Sequence, residues 1–149
     1  MTRKPNEIAA RLKRWRQPGS AGFFAFLEDV KPMIPSAKGG YEPFKIPDER
    51  IRQEIEVMLD GAFIVIVICW PRRHGKTVLA ALIIVWRFLT GRTETIAMVA
   101  NSEKQTVDTA FKLVRTALEQ TPYIKALIDQ GAIKVGVDSV KYPALGNTI

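Results

Sequence analysis

Apolar residues fall along the chain in three kinds of pattern, and each predicts a different element. At spacings of four and three, Ile8, Leu12 and Trp15 line one face of a short N-terminal helix. The Gln17-Pro18-Gly19-Ser20 break ends it. Residues 21–30 read as a second helix with Phe23, Phe24, Phe26 and Leu27 apolar, stopped by Lys31-Pro32. Residues 32–47 carry Pro32, Pro35, Pro43 and Pro47 together with Gly39-Gly40, which predicts a loop with little regular structure. Asp48 then caps a helix whose apolar positions Ile51, Ile55, Met58 and Leu59 follow a 4, 3, 1 spacing, closed by Asp60-Gly61.

The second pattern is a continuous apolar run with no polar alternation. Residues 62–69 (Ala-Phe-Ile-Val-Ile-Val-Ile-Cys) and 95–100 (Thr-Ile-Ala-Met-Val-Ala) both show it, and both predict strands buried on two faces, hence a parallel sheet. Cys69, at the end of the first run, reads as core. Between the runs, residues 77–89 predict a helix ending at Thr90-Gly91, giving a β-loop-α-β unit. Ser102 and Gln105 have the spacing of a capping box. Val107, Ala110, Phe111, Val114 and Leu118 then predict an amphipathic helix that covers one sheet face and stops at Pro122. The third pattern is alternation: Ile133, Val135 and Val137 interleave with Lys134 and Gly136, predicting a more exposed strand after Gly131.

Charge adds an asymmetry to this picture. The 149 residues contain 22 Lys+Arg against 15 Asp+Glu, a net charge of +7. Much of the excess lies in the first twenty residues, where Arg3, Lys4, Arg11, Lys13, Arg14 and Arg16 are opposed only by Glu7. Two readings of this arm stand side by side: a nucleic-acid or partner contact, or a solvated terminus whose short apolar stripe packs on the domain. The single cysteine excludes an internal disulfide, and no His/Cys cluster has zinc-site spacing. The longest apolar run is about half the ~20 residues a membrane-spanning helix needs, and no secretory signal follows Arg3 and Lys4. The expected place of the protein is therefore the cytoplasm, not secreted and without a membrane partner.

The chemistry lies between the first apolar run and the following helix, in Trp70-Pro71-Arg72-Arg73-His74-Gly75-Lys76-Thr77. The phosphate-binding pattern Gly-x-x-x-x-Gly-Lys-[Ser/Thr] is met at its last three positions, with Trp70 in place of the first glycine. Gly75 lets the backbone approach a phosphate, Lys76 neutralises β/γ-phosphate charge, and the Thr77 hydroxyl can ligate Mg²⁺. The helix start supplies unpaired N–H groups and the positive end of a dipole. Arg72 and Arg73 add charge beside it; His74 is either a phosphate contact or a solvated spacer. ATP with Mg²⁺ is the expected cofactor. The expected fold class is α/β, an incomplete P-loop NTPase-type parallel sheet flanked by helices. Residues 1–47 form a helical, basic arm with a Pro/Gly-rich loop, and residues 48–149 the N-terminal portion of the ATPase domain.

At this loop the sequence resembles the large subunit of bacteriophage terminases, ATP-driven motors that package DNA into proheads and whose variant Walker A loops often lack the first glycine. The resemblance implies that Arg72, three residues before Gly75, takes part in ATP hydrolysis beside Lys76. It also implies that Gln53, 23 residues before Lys76, recognises adenine. Met98-Val-Ala-Asn-Ser-Glu-Lys-Gln105 and the helix after it are similar to the family's second strand, loop and helix. The partners it implies are double-stranded DNA, the portal protein, the small terminase subunit and further copies in a ring docked on the prohead in the host cytoplasm. The family's Walker B element and nuclease domain are absent from these residues. After Glu119 only Asp129 and Asp138 carry carboxylates, and neither follows an apolar run. The reading is of the N-terminal part of a longer protein or of a truncated frame. Three alternatives remain: an ATP-dependent helicase or translocase of another P-loop family, a small nucleotide or metabolite kinase, and a truncated, non-hydrolysing fragment that binds a partner through its basic arm.

Overall fold

Helix α1 (Pro5–Trp15) buries the aromatic end of its apolar stripe: Trp15 is only 1% exposed. The computed structural model describes residues 5–63, 65–70, 75–99 and 106–149, with side chains for all of these except 5–9 and 106–108. Trp15 Nε1 donates to Asp29 Oδ2 at 2.9 Å, its carbonyl accepts from Trp86 Nε1 at 2.8 Å, and its ring meets Phe26 and Tyr123 edge-on. A buried indole needs such a partner for its N–H. The basic arm thus packs its apolar stripe on the domain through Trp15, while Lys13 and Arg16 stay exposed. Its Arg14 bridges to Asp29 at 2.8 Å and to Glu28 at 2.5 Å, which raises the guanidinium above its ordinary pKa, the Glu28 hydrogen bond contributing most.

Helix α2 (Gly19–Val30) follows directly and buries Phe23, Phe26 and Val30. Its first turn is tied to the end of helix α3 (Glu49–Asp60): Ser20 N and Ser20 Oγ donate to Asp60 at 2.6 and 2.8 Å. These donors, the backbone N–H first, hold the Asp60 carboxyl below its ordinary pKa. Asp48 caps α3 as its residue type predicts, accepting from Ile51 N at 2.9 Å.

The proline-rich segment is more ordered than its composition suggests. It forms an antiparallel pair, β1 (Met33–Pro35) and β2 (Tyr41–Pro43), turned through Gly39 and Gly40 at φ +90° and +72°. Prolines end both strands, where the missing N–H costs no ladder bond. Met33 N donates to the buried Thr121 Oγ1 at 2.9 Å, fastening this hairpin to the helices that follow.

Helix α4 (Lys76–Thr90) lies at the centre, with Leu79, Leu82, Val85, Trp86, Phe88 and Leu89 buried. It packs against α1, α2 and α5 (Lys112–Gln120), the last preceded by a π-helical turn (Thr106–Phe111). Phe111, Val114 and Leu118 are buried as their spacing predicts. Pro122 begins a further helix, α6 (Pro122–Asp129), as an N1 proline. The chain closes with an antiparallel sheet in the order β3 (Lys134–Val135), β4 (Val140–Tyr142), β5 (Asn147–Thr148).

The expected parallel sheet is corrected by this arrangement. Both sheets among the described residues are antiparallel, and the parallel pairing present is a single bridge between Thr95 and Thr148. Residues 65–70 join no ladder, and Val65, Val67 and Val99 are 75%, 79% and 91% exposed. The physical reason is partnership. Apolarity marks a segment that gains by burial, but a strand also needs neighbours for its backbone groups. Here the helices take most of the covering role: α4 packs on α1, α2 and α5, and α5 packs on α4 and on β1 of the antiparallel hairpin, so the sheet element it covers is not the expected parallel one. The core is helix on helix. Cys69, expected in the core, is exposed for the same reason.

Candidate functional site

Helix α4 begins without a side-chain cap. Its N-cap is Gly75, at φ +76° and ψ +14°, and among the described residues beyond its chain neighbours none comes within 4 Å of where a Cβ would stand. That left-handed conformation suits glycine and turns the chain from the loop into the helix. Leu79 N donates to Gly75 O at 2.8 Å as the first helical bond, so the N–H groups of residues 76–78 precede the intrahelical ladder. With the dipole end beside them, they form an anion-favouring terminus. Thr77 is exposed on the first turn.

Lys76 is half-buried, and its ammonium donates to the carbonyl of Trp70 across the loop. An ammonium has three donors, and Trp70 is its one hydrogen-bond partner given among the described residues. Trp70 is itself held: its indole N–H donates to Glu54 Oε2 at 2.5 Å, and Glu54 Oε1 accepts from Arg50 Nε at 3.0 Å. A chain of contacts thus runs from α3 through Trp70 to the start of α4. Neither Glu54 nor Trp70 was legible as a site residue; Trp70 stands out only as the exception to the glycine pattern.

Beside Gly75 opens a cavity of about 550 Å³. Its walls include Pro43 at the end of β2, Phe44 and Pro47 just after it, Ile51 from α3 and Val78 from α4, with Glu42, Lys45 and Asp48 as polar groups. Apolar walls with a few polar groups are the usual lining of a small-molecule site. Sequence reading treated residues 32–47 only as a divider. The apolar residues Ile34, Phe44 and Ile46 among the prolines were the available sign that this segment packs on something.

Gln53 stands elsewhere. It is exposed on α3 and lines a separate cleft of about 350 Å³ against residues 66–70, not the cavity beside Gly75. Gly75, Lys76 and Thr77 come together at one helix start; Arg72, Arg73 and His74 lie outside the described residues. No group of three or more His, Cys, Asp or Glu that could hold a metal occurs among the described residues. A metal here would be carried by the ligand's own oxygens with Thr77 as the protein contact. None of the described helices is long and apolar enough to cross a membrane. No family model matches the chain, and neither does any curated protein or solved structure.

Proposed function

We propose that the chain binds ATP with Mg²⁺, the phosphates at Gly75-Lys76-Thr77, as the nucleotide-binding segment of a motor that packages double-stranded DNA into phage proheads. The observation that carries the binding reading is the conjunction at one place: an uncapped helix start, a left-handed glycine, a lysine bonded to the Trp70 carbonyl and a cavity of about 550 Å³ alongside. The cavity's apolar walls suit a base and ribose, while the N–H groups of residues 76–78 and the Lys76 ammonium suit the phosphates. Thr77 would share Mg²⁺ with the phosphate oxygens. The motor assignment, with the portal protein, the small terminase subunit and a ring of copies as partners, rests on the resemblance of the 70–77 loop alone.

The chemistry these residues support is binding. Asp129 is paired with Lys125 at 3.4 Å on α6, and Asp138 is an exposed residue between β3 and β4. Neither lines the cavity beside Gly75. Calorimetric titration of Mg-ATP into the wild-type chain and Lys76→Ala tests the reading. Loss of a charge-assisted contact of about 1.5–3 kcal/mol predicts at least a tenfold weaker affinity in the variant. Equal affinities would remove Lys76 from the site and the reading with it.

A further inference from the structure

The far end of α4 gathers positive charge beyond what capping that helix requires. Its last carbonyls are already satisfied. Asn147 Nδ2 donates to Phe88 O at 2.8 Å and Gly91 O at 2.9 Å, and Thr90 Oγ1 donates to Trp86 O at 2.7 Å. Arg16, just past the end of α1, donates through Nε to Thr90 O at 3.1 Å. That bond fixes the guanidinium and leaves its two terminal NH₂ groups without a protein partner among the described residues. Arg87 is paired with Glu94 and lies over the Trp86 ring, 5.9 Å from its centroid. Arg92 is exposed and has no ion-pair partner among the described residues. These three arginines, with Gln17, line a cleft of about 290 Å³. Glu94 compensates Arg87 and Asp60 is held by Ser20, which leaves Arg16 and Arg92 without a carboxylate partner among the described residues. The helix dipole accounts for one cation at this end; it does not account for two around one cleft.

We propose that this cleft holds a backbone phosphate of a nucleic acid. Forked guanidinium donors match phosphate oxygens in pairs, and a cleft this small takes a phosphate rather than a base. The charge does not stop at the cleft: Lys13 is exposed on α1, three residues before Arg16, so the basic surface continues for more than one phosphate. The exposed large apolar side chains, such as Val65, Val67 and Val99, line none of it, which disfavours a bilayer. The site goes beyond the nucleotide reading and does not depend on it. It lies at the opposite end of the fifteen-residue α4 from Lys76, about 20 Å away at the rise of a helix.

The test is fluorescence anisotropy of a labelled 20-base-pair DNA duplex against the full chain at several salt concentrations, for wild type, Arg92→Glu and the charge-matched control Lys38→Glu, in the exposed turn between β1 and β2. Thermal melts of each variant check the fold. Arg92→Glu touches no described partner, and it is expected to weaken duplex affinity about tenfold and to flatten the slope of log K on log salt by about one. Lys38→Glu is expected to leave both unchanged. Duplex affinity and salt slope unaltered by Arg92→Glu, or altered equally by Lys38→Glu, would overturn the proposal. So would Arg92-dependent binding of inorganic phosphate with no duplex binding, because the site would then take the free anion. Arg92-dependent binding to anionic vesicles without duplex binding would overturn it in favour of a lipid headgroup.

Discussion

At Gly22 the corner between α1 and α2 has no room for a side chain. A Cβ there would stand 2.1 Å from the carbonyl oxygen of Gln17 and 2.6 Å from that of Trp15, both backbone atoms that cannot swing aside. The Trp15 carbonyl is also the acceptor for Trp86, so a shift of the corner reaches α4. Gly22→Ala is therefore expected to destabilise the protein by about 1–3 kcal/mol, as overpacking does, despite alanine's better helix propensity. A thermal or urea melt measures it; an unchanged or raised midpoint would show that the corner relaxes freely. Single residues of this kind divide into legible and illegible. Asp48 was legible because a cap acts on its own next three residues. Gly22 was not, because its neighbours across the corner are set by the angle between two helices, which no local pattern encodes. Lys76 and Thr77 were legible from a motif, whereas the hold of Trp70 on Lys76 and of Glu54 on Trp70 depends on how α3 meets the loop.

Most helices were legible. α2, α3 and α4 stand within one or two residues of their expected bounds and α1 ends at its expected break, since caps, glycines and a 3.6-residue period are local signals; α6 was not foreseen. Strands were mostly not. The alternation after Gly131 does give the edge strand β3, but β1 and β2 lie in a segment read as irregular, and among the described residues the two apolar runs read as buried strands carry one bridge. A strand is a relation between two segments, so a run such as 62–69 states only what it would do given a neighbour on each side. The structure makes a definite claim about such a run: Val65 is 75% exposed. Val65→Lys is accordingly expected to change stability by no more than about 0.5 kcal/mol, as surface substitutions do. A strand covered on both faces would lose several kcal/mol from an unpaired buried ammonium. Chemical denaturation separates the two, and a large loss would contradict the exposed placement of this segment.

In the whole molecule one helical core, from Trp15 of α1 to Ile124 of α6, holds both ends of α4 in place. Its N-terminal end opens beside the cavity walled by Phe44 and Pro47, and its C-terminal end is locked by Asn147 and Arg16. A rigid helix with a preorganised anion-favouring start lowers the ordering cost of binding a phosphate. Of the candidate site, the sequence disclosed Gly75, Lys76 and Thr77; the cavity beside Gly75 is walled by residues of the 42–48 segment together with Ile51 and Val78, a long-range arrangement outside local patterns. The most direct measurement of the central claim is hydrogen exchange at the amides of Lys76, Thr77 and Val78, with and without saturating Mg-ATP and with adenosine as a control. These amides lack helical acceptors, so bound phosphate oxygens are expected to slow their exchange clearly, and adenosine, which carries no phosphate, to leave it unchanged. Exchange at all three unaffected by Mg-ATP would contradict phosphate binding at the start of α4.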